Sequence, residues 1–173
     1  MNTDTLQSDN PISTSLWRSI LVPMDFSAPS EAALVYAVKL ADLSKALIHV
    51  CHVIPVPHVL DAFYEHGLEQ PESVTHIKHK VRKRVKELVL SSGMDVVLRV
   101  HFSEGEPTEG VLKEATRLRP DLIVMGTHGW RGMKRFFLGS VAEAVVRGAP
   151  CPVLTLRSAL HSPPSEKHKG ELS

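Results

Sequence analysis

Five short runs rich in apolar side chains recur along this chain, separated by stretches that carry helix signals. No other feature constrains the fold as much. The runs are SILVPM (19–24), ALIHVCHVI (46–54), MDVVLRVHF (94–102), DLIVMG (121–126) and PVLTLR (152–157). Runs of this length and composition suit strands buried on both faces, as parallel strands are. Between the first two, Ser27 stands before Pro29 and Glu31, the pattern of an N-cap with proline and an acid in the first turn; that helix extends to Ser44. In 71–91, Val74, Ile77, Val81, Val85 and Leu88 form one apolar stripe, and Gly93 suits the left-handed residue that ends a helix. Pro107 opens a third helix that runs to Leu118, and a fourth covers 139–147. Strict β-α alternation of this kind predicts one α/β domain, a five-stranded parallel sheet with helices on both faces and right-handed crossovers.

At 173 residues and 43% apolar composition the chain suffices for one buried core, and a formal charge of +1 calls for no polyanionic partner. No apolar run has the length of a bilayer span. The first fifteen residues have neither a basic start nor an apolar core, so no secretory signal is read there. Cys51 and Cys151 lie in apolar strand runs and read as reduced core residues. A cytoplasmic protein is expected, with polar tails at 1–15 and 158–173 flanking a domain at 16–157. The basic segment IKHKVRKRVK (77–86) reads as a solvated helix face, without the interleaved aromatics of a nucleic-acid surface. His49 and His52 fall on opposite strand faces. His76 and His79 share a helix face but lack the further ligands of a metal site, and none is expected.

The segment GTHGWRGMKRFFLGS, from Gly126 to Ser140, follows the fourth strand and leads into the last helix. Four glycines there fit either a strand-to-helix turn or a loop that lets phosphates approach the backbone, at a helix start whose free N–H groups favour an anion. Lys134 and Arg135 add positive charge, and Ser140 a hydroxyl. The spacing is not that of a P-loop, and the first turn, PMDFSAPS, lacks the glycines of a dinucleotide fingerprint.

Gly126-Thr-His-Gly129, nine residues, Gly139-Ser140 and then VAEAVVRGAPCPVL resemble the nucleotide-binding signature of the universal stress protein family, as VPMDFS resembles its first strand and turn. The similarity covers residues 17–157. It implies strand order 3-2-1-4-5, with the switch point between strands one and four, where ATP-binding members hold adenosine. By resemblance, Pro23, Met24 and Asp25 line the adenosine and Ile48 packs near the adenine. Met125, Gly126, His128 and Gly129 follow the ribose and phosphates, and Gly139, Ser140 and Val141 hold the phosphates. Asp25 is otherwise an ordinary turn or cap residue. Met24 stands where a smaller residue is frequent and implies a tighter adenine slot; Trp130 stands where polar residues are frequent.

The resemblance implies an ATP-binding regulatory or stress-tolerance module, with Mg2+ accompanying the triphosphate and slow or no hydrolysis. It also implies a homodimer formed by pairing of strand 152–157, which removes an exposed sheet edge. The alternatives are an ATP hydrolase or adenylyl-transferring enzyme, and a dimerisation module that binds no nucleotide. The segment 55–70, rich in proline, follows strand two at the expected ligand edge.

Overall fold

The structure, a computed structural model, describes residues 16–55, 73–127 and 138–157. The tails 1–15 and 158–173, residues 56–72, and His128, Gly129, Trp130, Lys134 and Arg135 lie outside the described residues. The elements in chain order are β1 (Ser19–Pro23), α1 (Ala28–Ser44), β2 (Leu47–Ile54) and α2 (Val74–Ser91). They continue with β3 (Leu98–Glu104), α3 (Pro107–Leu118), β4 (Leu122–Gly126), α4 (Ser140–Gly148) and β5 (Val153–Leu156). All five strands are parallel, in the order β3-β2-β1-β4-β5.

Strand alternation assigns each helix pair to one side of the sheet. Ile20, Val22, Ile48, Val50, Leu122 and Val124 face α1 and α2, and pack on Leu34, Val38, Val81 and Val85. Leu21, Cys51, Ile123 and Met125 face α3 and α4, and pack on Val111, Ala115, Ala142 and Val145. The central strands are therefore apolar on both faces. The helix ends follow the local signals. Ser27 caps α1, accepting from the Ser30 N–H at 3.4 Å, and Ser73 caps α2 in the same way through His76 at 3.2 Å. The carboxylate of Glu106 caps α3 by accepting from the Glu109 N–H at 2.9 Å. Gly93 has φ +69°, the left-handed conformation expected after α2.

Strand three differs from the sequence expectation of 94–102. The ladder with β2 begins at the pair Ile48–Leu98 and runs to Ile54–Glu104. Met94 and Val96 are apolar because they pack against the α1/α2 core, outside the ladder. Ser103 and Glu104 are polar yet sit in the strand, because Val53 and Ile54 of β2 provide their backbone partners.

Candidate functional site

The crossover from β1 to β2 runs through α1 on one face, while β4 is entered from α3 on the other. The chain thus changes direction between β1 and β4, the switch point at whose carboxyl end open α/β sheets take their ligands. Register pairs Ile20 with Leu122 and Leu21 with Ile123, so Pro23 and Met125 come level at that edge.

One wall is the turn from β1 into α1. The Met24 N–H donates to the Cys51 carbonyl at 2.8 Å, extending the ladder by one residue before the chain leaves the sheet. The Met24 side chain is 3% exposed and packs into the α1/α2 core, with its sulfur 3.3 Å from the Ser30 hydroxyl. It therefore does not narrow an adenine slot, contrary to the sequence expectation; only the Met24 backbone reaches the edge. Asp25 is exposed, and its Oδ1 accepts from the Ser27 N–H at 3.0 Å and the Ser27 hydroxyl at 2.6 Å. This is the side-chain turn that aspartate makes readily, and it fixes where the carboxylate sits. Phe26 then takes a left-handed backbone, φ +61°.

The other wall is the end of β4 and the start of α4. Thr127, 6% exposed, ties them together: its N–H donates to the Leu156 carbonyl at 3.0 Å, and its carbonyl accepts from the Gly139 N–H at 2.7 Å. The loop between them is thus closed at its base. Gly139 caps α4 with an extended backbone and no side-chain hydrogen bond. The first N–H groups of α4 have no partner within the helix, and Ser140 at its start is exposed. Met125 and Val141 direct their side chains into the α3/α4 core.

Gly126 has a packing reason of its own. A Cβ there would lie 2.7 Å from the Cβ of Pro29 and 2.8 Å from its carbonyl carbon, so a glycine is needed for β4 to approach the first turn of α1. Pro23, Met24, Asp25, Met125, Gly126, Gly139, Ser140 and Val141 therefore converge on one edge, with Met24, Met125 and Val141 presenting backbone alone. Ile48 does not join them. It is fully buried beside Ile20 and Leu98, six residues before Ile54. Cys51 pairs with Pro23 at that edge, so Ile48 lies three residues, roughly 10 Å of strand, back from it. The β2 residues that reach the edge are His52 and Val53. Sequence reading also passed over Thr127, whose role depends on partners at Gly139 and Leu156.

The fold and this edge define a doubly wound α/β protein with an anion-favouring helix start at its switch point. The chain belongs to the universal stress protein family, whose profile matches residues 16–157. It is similar to the universal stress protein MJ0531 of Methanocaldococcus jannaschii, 32% identical over 144 residues, covering 83% of this chain and 84% of the relative. In structure it is similar to the hypothetical protein MJ0577, with a TM-score of 0.69 and 27% identity, over 84% of this chain and 99% of that one. A universal stress protein in complex with cAMP shares the fold at a TM-score of 0.59 and 19% identity, over 83% of this chain and 98% of that one. A family member from Arabidopsis thaliana with AMP bound does so at 0.52 and 20%, over 86% and 97%.

Proposed function

We propose that this chain is a nucleotide-binding universal stress protein that takes ATP at the β1/β4 edge and uses the bound nucleotide to regulate its conformation or partner choice. The observation that carries the reading is the Gly139–Thr127 hydrogen bond. It sets the start of α4, with no side-chain cap, beside the end of β4, and the first turn of a helix is where an anion gains most. The opposite wall offers Asp25, held for a polar contact with a sugar or base. Support comes from the structurally similar proteins described with AMP and cAMP. Among the described residues no three His, Cys, Asp or Glu side chains could hold a metal. In this reading Mg2+ arrives with the triphosphate, held by its oxygens and water. Hydrolysis is slow or absent in this reading.

The second element is a homodimer formed through β5. That strand ends the sheet, and its four residues are half-buried in the single chain.

Calorimetric titration of MgATP into the wild-type protein and into Gly139→Val tests the site. Gly139 has φ −60° and ψ 149°, a backbone valine adopts without strain, so the substitution reads ligand exclusion. Micromolar binding lost in the variant supports the site. A folded wild-type protein that takes up no adenine nucleotide rejects it, in favour of the module that binds none.

A further inference from the structure

We propose that His52, assigned no role by the site reading above, is a positioning residue for the Asp25 wall of the nucleotide site. The proposal rests on the nucleotide reading for its ligand but on geometry alone for its action. His52 lies near the end of β2, on the face covered by α1 and α2. Its Nδ1 is 2.7 Å from the Met24 carbonyl oxygen. A carbonyl can only accept, so Nδ1 carries the proton and Nε2 holds the lone pair of the neutral ring. Both backbone groups of Met24 are therefore held by β2, the N–H by the Cys51 main chain and the carbonyl by the His52 side chain. The imidazole does the work of one further ladder rung, at the point where the chain must leave the sheet.

The residue two positions on is held by the same ring. Phe26 has its ring centroid 5.4 Å from that of His52, tilted by 50°. Its left-handed backbone, φ +61°, is uncommon for an aromatic residue. Phe26 packs against the edge of the α1/α2 core, and with His52 it lines one side of a cavity of about 450 Å3 whose other side is Ile77, Val81 and Arg84 of α2. Asp25 stands between the two residues that His52 holds. The carboxylate that would meet the nucleotide is thus placed by a side chain with no need to touch the ligand.

Two variants and one measurement on the wild-type chain test the proposal. Imidazole 15N spectra of the wild-type protein should show the neutral His52 ring with its proton on Nδ1; a neutral ring with its proton on Nε2 would overturn the proposal without any variant. His52→Leu removes the donor, and His52→Asn keeps an N–H close to the Nδ1 position. Loss of one such bond predicts MgATP affinity about three- to tenfold weaker in His52→Leu, with His52→Asn restored to within about twofold of wild type. Exchange of the Ser27 amide, which reports the Asp25 turn, should quicken in His52→Leu and recover in His52→Asn. Unchanged affinity and exchange in His52→Leu, or equal impairment in both variants, refutes the role. Failure of the wild-type protein to bind ATP would instead remove the nucleotide reading, and the imidazole spectra and Ser27 exchange would still decide whether His52 sets the turn.

Discussion

His49 and His101 meet on the α3 side of the sheet, Nδ1 of the first 2.9 Å from Nε2 of the second. Arg117 of α3 places Nη2 3.0 Å from His101 Nδ1. A guanidinium only donates, so His101 Nδ1 accepts, its Nε2–H donates, and His49 Nδ1 accepts in turn. The three residues form a directed chain from helix to strand, and it requires both imidazoles to be neutral. Burial holds each histidine below its ordinary value of 6.5; for His49 the cationic side of His101, Arg99 and Arg117 adds to this, and for His101 Arg117 and Arg99. Glu114, beside Arg117, opposes the shift, and Cys51 lies on the same face with its thiol neutral.

A depressed histidine pKa means that the unfolded chain binds more protons than the folded one in the window just below 6.5. Stability therefore rises with pH through that window, and falls as the pH drops below it. Urea denaturation at a series of pH values should show this slope, and His101→Gln, which cannot titrate, should flatten it. An equal slope in wild type and variant contradicts the coupling.

Gly126→Ala tests whether that glycine serves packing as well as any ligand. The new Cβ meets backbone at Pro29, which cannot step aside as a flexible side chain would. The expected cost is about 1–3 kcal/mol of stability, read from the denaturation midpoint at constant m. A neutral substitution would mean that α1 can shift away from β4.

Backbone direction in β5 gives the dimer proposal a selective probe. Pro152 and Leu156 turn their carbonyls to β4, accepting from Ile123 and Thr127. Val153 and Thr155, alternating with them, turn their backbone groups outward. Thr155→Pro removes an outward N–H and spares the ladder to β4. Light scattering should then report a monomer where the wild type is a dimer. A dimer of undiminished stability would place the interface elsewhere.

Cys51 should be inert in the folded protein. It is 1% exposed, and burial, with the negative charge of Glu114 beside it, pushes its thiol up to about 12. Since the thiolate is the reactive form, an aromatic disulfide reagent at mildly alkaline pH should spare Cys51 until denaturant is added. Prompt labelling of two thiols in native protein would contradict its placement. Cys151, half-buried, is also raised by burial, with a contribution from Asp121, and should react slowly.

The division between local and tertiary information follows from how each feature is held together. Helix starts at Ser27 and Pro107 and the stop at Gly93 rest on contacts within four residues, so they were legible in order along the chain. The strand runs and their alternation with helices were legible too, because a strand covered on both faces must be apolar throughout. Their order in the sheet came from the family's signature, and the pairing bears it out. What the chain in one dimension withheld was everything that depends on register. β3 begins at Leu98 because Ile48 is its first partner, and the same register removes Ile48 from the ligand edge. Gly126 is read as a loop glycine until the first turn of α1 comes so close that a Cβ there would lie 2.7 Å from the Pro29 side chain. Met24 looks like an obstruction until its side chain is seen to turn into the core. His52 and Thr127 act through atoms 28 and 29 positions away in the chain, Met24 for one and Leu156 for the other. Local propensity reflects short-range sterics and hydrogen bonding, which sequence displays directly. Side-chain partners across strands are chosen only when the sheet closes, and the candidate site is built from such partners.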